Sequence, residues 1–160
     1  MKKIVYIDLD GVTADFDKKM SELAPDLFLG DGPDYEIRSK MVDEVIKSNL
    51  TMFQELDPID GSIESINQLM NSFEVYFLST PVWAVPESFS GKRIWVEKQF
   101  GDAIKKRLIL THRKDLVIGD FLIDDRLKNG AAEFKGEHIH FGSDRFPNWE
   151  SVVEYLKSKI

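Results

Sequence analysis

The stretch Lys3-Ile4-Val5-Tyr6-Ile7-Asp8-Leu9-Asp10-Gly11-Val12 decides the fold. Its β-branched residues and tyrosine form a short apolar run that reads as a buried strand. The run ends on two acids spaced by two, then a glycine. Strand side chains alternate, so residues i and i+2 share a face. Asp8 and Asp10 are therefore expected on one side, where the strand runs out. In an open α/β sheet, ligands bind at that carboxyl end. Two carboxylates held side by side repel each other, and a divalent cation relieves the repulsion. A metal-assisted phosphate chemistry accounts for both acids.

Outward from this strand, residues 16–56 read as helical pieces. Pro25 and the run Gly30-Asp31-Gly32-Pro33-Asp34 break them. Met41, Val42, Val45 and Ile46 keep a helical spacing. Asp57-Pro58-Ile59-Asp60-Gly61-Ser62 starts a helix that carries Ile63, Ile66, Leu69 and Met70 on one face. Residues 73–78 form a second buried strand running into Ser79-Thr80-Pro81. Residues 91–100 read as a helix stopped by Gly101, and 107–111 as a short strand. Residues 120–123 form another strand, ending in Asp124-Asp125. A last strand spans 138–141 and a closing helix 149–157. Strands alternating with helices imply an α/β fold with a mainly parallel, Rossmann-like sheet. The stretch between the first strand and the Asp57 helix is too long for an ordinary connection. It divides the chain into a core of residues 1–16 and 57–160 and a small inserted helical cap of residues 17–56. Such a cap shields a reaction centre from water and shapes a pocket.

Composition sets the outer bounds. A chain of 160 residues with 42% hydrophobic content suits one domain with a small lobe. It buries roughly 70% of its unfolded surface and needs no staples. The absence of cysteine excludes a disulfide framework, thiolate chemistry and a Cys-zinc site. Met1-Lys2-Lys3 opens like a signal peptide, but only Ile4 to Ile7 precede Asp8, too few for its apolar region. No stretch approaches the ~18 apolar residues of a membrane span. A soluble, cytoplasmic protein is expected. The net charge of -7 and pI near 5.0 disfavour long nucleic acid. They leave room for a small anion held by a local metal and lysines.

Three predicted strands end in reactive residues: Asp8/Asp10, Ser79/Thr80 and Asp124/Asp125. A basic segment, His112-Arg113-Lys114, follows a fourth. Each feature alone is weak, and the four in this order are far more specific. A phosphoacceptor receiver domain has the reverse order, with its acid pair first and its phosphoacceptor on a middle strand. An EF-hand needs glycine at the sixth loop position, and Gly11 is fourth from Asp8. Ser90-Gly91-Lys92-Arg93 lacks the earlier glycine and following Ser/Thr of a P-loop. His138 and His140 share a strand face, but no third nitrogen or sulfur ligand is evident, so structural roles are expected. Asp15, Asp17 and Asp120 read as capping or solvent-facing residues.

The pattern resembles the haloacid dehalogenase (HAD) superfamily of phosphatases, with Asp8-Leu9-Asp10-Gly11-Val12, Ser79-Thr80, Lys114 and Asp124-Asp125 as its four motifs. It is most similar to the 5'(3')-deoxyribonucleotidases. The matching segments are residues 8–16, Glu55-Leu56-Asp57-Pro58, Trp95-Val96-Glu97-Lys98, Leu110-Thr111 and residues 122–126. The resemblance implies a Mg²⁺-dependent phosphomonoesterase acting on deoxyribonucleoside monophosphates. Asp8 is then the nucleophile that forms an aspartyl-phosphate, and Asp10 the general acid and base. The implied metal ligands are Asp8, the Asp10 backbone carbonyl and Asp125, with Asp124 bound directly or just behind. Ser79, Thr80, Lys114 and Lys92 are implied phosphate contacts. Phe16, Phe53, Val82 and Trp83 are expected on the nucleoside side. His112 falls where the resemblance places an arginine, and the Phe-Trp pair expected near Tyr35 is missing. The alternatives are a HAD phosphatase for another small phosphate ester, a phosphomutase and a non-catalytic binding protein. A homodimer is compatible with all of these.

Overall fold

The computed structural model describes residues 1–27 and 35–160, the side chain of Tyr35 excepted. The glycine-rich run at 30–34 and the surroundings of Tyr35 lie outside the described residues. Five strands form one sheet: β1 (Ile4–Ile7), β2 (Glu74–Ser79), β3 (Leu108–Leu110), β4 (Phe121–Asp124) and β5 (Glu137–His140). Their order is β3-β2-β1-β4-β5, and every pairing is parallel. The helices are α1 (Phe16–Leu23), α2 (Tyr35–Lys47), α3 (Ser62–Ser72), α4 (Pro86–Phe100) and α5 (Trp149–Lys157). The fold is the expected α/β architecture. None of the helices among the described residues is long and apolar enough to cross a membrane.

The chain begins in the middle of the sheet, builds outward to β3, then returns to β4 on the other side of β1. The strand order therefore reverses between β1 and β4, the position where a crevice opens outside the strand ends. Alternation along β1 divides the core. Val5 and Ile7 face the larger cluster with Ile66 and Leu69 of α3, Trp95 of α4 and Val152 and Leu156 of α5. Tyr6 faces the smaller cluster, which Ala131 and Phe134 close from the loop after β4.

Two expectations from sequence change. The helix expected from Gly91 begins five residues earlier, with Pro86 in its first turn. Proline's fixed φ and missing N–H suit that position. The first strand stops at Ile7, although the Asp8 N–H still donates to Ile123 at 2.9 Å. Beyond it the chain turns. The N–H groups of Val12, Thr13 and Ala14 all converge on the Leu9 carbonyl. Gly11 takes a left-handed φ of 80° there, which glycine adopts without steric cost. Asp8 and Asp10 still line one cavity, but turn geometry rather than strand alternation brings them there.

Side chains within the turn and from distant elements fix it. The Thr13 hydroxyl donates to the Asp8 carbonyl at 2.8 Å, and Ser62 of α3 donates to the Thr13 carbonyl at 3.1 Å. The buried indole of Trp149, first residue of α5, donates to the Val12 carbonyl at 2.8 Å. Asn148 and Ser151 form a reciprocal cap that holds this end of α5. Trp149→Phe keeps most of the ring volume but leaves the Val12 carbonyl without its indole donor. We expect a loss of about 1–3 kcal/mol in urea unfolding. A change below a few tenths would show the bond to be dispensable.

Candidate active site

At the crevice between β1 and β4, a cavity of about 450 Å³ opens over the strand ends. Asp8 stands one residue past β1 and is only 7% exposed. Asp124 ends β4 and is buried beside it. Lys114 opens a short 3₁₀ turn after β3 and is 3% exposed. Its ammonium lies 3.1 Å from Asp8 Oδ1 and also donates to Asp124 Oδ2. The Lys114 backbone N–H is anchored on the Asn129 carbonyl at 2.8 Å.

Carboxylate oxygens of Asp8, Asp124 and Asp125 all lie within 4.8 Å of one another. Asp125 Oδ1 is buried and has no hydrogen-bond partner among the described residues. Buried acceptors are normally paired, so an enclosed carboxylate oxygen of this kind fits a cation ligand. Gly11 packs against the same carboxyl: a Cβ there would fall 2.3 Å from Asp125 Oδ2. The donors are all oxygen, which suits a hard divalent ion such as Mg²⁺. The residues present thus fit the metal.

The electrostatics follow from this crowding. Burial, then the charge of Asp8, raises the Asp124 carboxyl to about 6 and the Asp125 carboxyl to about 7. Burial pulls the Lys114 ammonium down, but Asp8 and Asp124 together outweigh it and leave its pKa raised. Lys114 is therefore a cation at neutral pH, and the acids around it outnumber it.

The other sequence-derived candidates divide between the cavity wall and the protein interior. Ser79, at the end of β2, lines the cavity with a buried hydroxyl that has no partner among the described residues. Thr80 lines it too, but its hydroxyl donates to the Thr111 carbonyl at 2.8 Å. Val82 and Trp83 lie on the wall, and Trp83 is 79% exposed. His112 meets the Trp83 ring edge-on at 5.8 Å and sits 2.9 Å from the Pro81 carbonyl. Phe16, Phe53 and Lys92 are not on the wall of this cavity. Phe53 is buried and stacks on Phe16 at 6.0 Å, because α4 packs the 3₁₀ turn Met52–Gln54 against the core. Lys92 is likewise buried, with its ammonium 2.5 Å from Asp10 Oδ2.

The structure also adds wall residues that the motifs did not single out. Ser39 and Asp43 come from α2, and Lys128 and Asn129 from the loop after β4. Asn129 and Gly130 take consecutive left-handed conformations, with φ of 55° and 83°. The Asn-Gly pair is a turn signal that could have marked this loop. Asp43 had no comparable signal. His138 and His140 stack at 5.6 Å, and His140 Nε2 lies 3.0 Å from the Asp125 carbonyl. Asp15 caps α1 through the Lys18 N–H, and Asp120 accepts from the Ile4 N–H.

A family model described as 5' nucleotidase, deoxy (pyrimidine), cytosolic type C matches residues 2–152. A Vibrio phage KVP40 protein, provisionally named 5'(3')-deoxyribonucleotidase, is 44% identical over 158 residues, covering 99% of this chain and 86% of that protein. The human mitochondrial 5'(3')-deoxyribonucleotidase is 28% identical over 167 residues, covering 93% of this chain and 68% of its own length. Among solved structures, the magnesium-bound HAD hydrolase YfnB of Bacillus subtilis aligns with a TM-score of 0.64 at 13% identity. The alignment covers 97% of this chain and 98% of that one, a likeness of fold.

The raised carboxyls set a pH dependence. A carboxyl whose folded pKa lies above its unfolded value of about 4 favours folding at low pH. That contribution is lost as pH rises through the folded value. In chelator-treated protein, Asp124 and Asp125 therefore lower stability as pH rises from about 4 to about 7. Thermal melts in EDTA should show Tm falling across this window, and Asp125→Asn should flatten the fall. A parallel fall in both proteins would place its origin elsewhere.

Proposed function

The chain belongs to the 5' nucleotidase, deoxy (pyrimidine), cytosolic type C family, and on that premise we propose that it is a Mg²⁺-dependent phosphomonoesterase. Its substrates are deoxyribonucleoside monophosphates, and the reaction runs through an aspartyl-phosphate on Asp8. The observation that carries the reading is the nearly buried Asp8 carboxylate at 3.1 Å from Lys114. It lies beside two further acids and an unpartnered Ser79 hydroxyl. A nucleophile, a charge-matched cation and a free donor for a phosphoryl oxygen converge on one crevice.

Asp8, the Asp10 carbonyl and Asp125 would hold the ion, with Asp124 bound directly or just behind. When bound, Mg²⁺ offsets the charge that otherwise keeps a carboxylate from an anionic phosphate. The protein's own groups do the rest. Asp8 attacks phosphorus as the ester P–O bond breaks, and Asp10 gives its proton to the departing oxygen. Water then attacks the aspartyl-phosphate. Asp10 takes the water proton, the bond to Asp8 breaks and inorganic phosphate leaves. Lys114 holds Asp8 in place and offsets charge on the phosphoryl oxygens, while the Ser79 hydroxyl donates to one of them.

Residues 17–56 act as the cap, with Ser39 and Asp43 of α2 turned to the cavity. Val82 and the exposed Trp83 form the nucleoside side, where an indole face can stack on a base. The stack of the half-buried Phe16 on the buried Phe53 braces the cap against α4. A small nucleotide substrate fits an acidic, cysteine-free cytoplasmic enzyme.

Phosphate release from deoxyribonucleotides, ribonucleotides and sugar phosphates, with Mg²⁺ or EDTA, tests the reading. Asp8→Asn should lower kcat by ~10³-fold or more. EDTA should abolish release, and deoxynucleotides should lead the panel. Activity confined to sugar phosphates would overturn the nucleotide assignment and leave the chemistry standing. For Trp83→Ala, loss of one stacked base contact of about 1–3 kcal/mol raises KM roughly 5- to 150-fold at near-constant kcat. An unchanged KM would remove Trp83 from the nucleoside side.

A further inference from the structure

We infer that Lys92 is the positioning residue for Asp10 and not a contact for the substrate phosphate. The inference rests on Asp10 being the acid–base group of the proposed reaction. Lys92 lies on α4 with only 2% of its side chain exposed, behind Asp10 and off the cavity wall. Its ammonium donates to Asp10 Oδ2 at 2.5 Å. The second carboxyl oxygen, Oδ1, is enclosed and has no hydrogen-bond partner among the described residues. Lys92 is therefore the side chain that fixes the Asp10 carboxyl.

The ammonium is itself held firmly. It lies over the Phe53 ring, 4.8 Å from the centroid. The neighbouring Gly91 lets α4 approach that phenylalanine: a Cβ at Gly91 would come within 2.9 Å of Phe53 Cβ. One turn further along α4, the Trp95 indole donates to the Leu56 carbonyl at 2.8 Å. Helix, turn and cation–π contact leave the Lys92 head little room. A lysine so enclosed cannot sweep out to a phosphate in the crevice. It can hold Asp10 through both steps, because an ammonium donates to a carboxylate and, less strongly, to the carbonyl oxygen of a carboxylic acid.

Proton transfer requires the acid within about 2.6–3.2 Å of the oxygen it serves. Without Lys92 the Asp10 carboxyl is free to leave that position. The step that suffers first is the one needing a proton: Asp8–phosphorus bond formation with an alkoxide leaving. An aryl phosphate such as p-nitrophenyl phosphate escapes this need, since nitrophenolate leaves as the anion without a proton. Hydrolysis of the aspartyl-phosphate still needs Asp10 as base for either substrate.

The test compares wild type and Lys92→Met on a deoxynucleoside monophosphate and on p-nitrophenyl phosphate, in steady state and in the first turnover. On the nucleotide, kcat should fall ~10²-fold or more with KM changed by less than about 3-fold. On p-nitrophenyl phosphate, the variant should release one nitrophenolate per active site in a burst, then turn over slowly. Lys92→Gln, which keeps a donor, should recover part of the lost rate, and it carries the same comparison if Lys92→Met does not fold. A raised KM at constant kcat on both substrates would make Lys92 a phosphate contact. Equal losses on both substrates with no burst would make it merely structural; either result overturns the inference alone. If wild type hydrolyses the aryl ester but no nucleotide, the substrate reading fails separately.

Discussion

The structure depends on one arrangement: the buried Lys114 ammonium set among the carboxylates of Asp8, Asp124 and Asp125 at the point where strand order reverses. Burying a lone lysine is costly, and burying carboxylates together is costlier. Each makes the other tolerable, but only in part. Burial first, then the charge of Asp8, keeps the Asp124 and Asp125 carboxyls raised despite the nearby cations. A divalent cation placed among the same oxygens would offset that charge. The site is thus built with a deficit of positive charge that its chemistry calls for. Such a deficit persists only because the surrounding sheet holds the groups in place.

That holding is visible in the turn after β1. Asp8 is fixed by the sheet ladder, but Asp10 lies past the strand, where nothing regular constrains it. Its location depends on Thr13 within the turn and on Ser62 of α3 and Trp149 of α5 anchoring backbone groups, and on Lys92 gripping the side chain. The buried polar groups Thr13, Ser62 and Lys92 are each satisfied by this one loop. Their bonds order the loop more than they add net stability, since each exchanges water for protein.

Much of this was legible in the sequence, for reasons that can be named. The strand ends were visible because apolar runs stop abruptly on acids or hydroxyls, as at Ile7-Asp8, Leu78-Ser79 and Ile123-Asp124. A parallel sheet followed from alternation with helices; the place after the third strand marked the basic segment His112-Arg113-Lys114, and the family resemblance singled out Lys114 within it. The turn at Leu9–Ala14 was not legible, because Leu9 and Val12 continue the apolar pattern of a strand and both are buried. Phe53 read as a pocket aromatic since nothing local shows that Gly91 brings α4 down upon it. Lys92 read as a phosphate contact for the same reason. Charge and type identify a functional residue, but which group it faces is decided by tertiary packing. Asp43 was invisible because a helical acid beside apolar neighbours looks like any solvated position.

The cavity wall is accordingly of two kinds. Its floor consists of strand ends and of residues tied to them, with Asp8, Ser79, Lys114 and Asp124 all nearly buried. Its rim comes from the exposed Trp83, the left-handed turn at Asn129-Gly130 and α2. Of α2, Ile46 enters the main core, while Ile37 and Met41 remain well exposed. Phosphoryl transfer needs a floor that does not move, since its groups must meet one phosphorus atom to within fractions of an ångström. Recognition of a nucleoside needs a rim that can open to admit it and close to exclude water. Among the described residues, the exposed Ile37 and Met41 give the rim side of α2 more freedom than the floor, where moving Lys114 or Asp124 would strand a buried charge. The same burial that makes the acids expensive therefore separates a rigid reaction centre from an adaptable entrance.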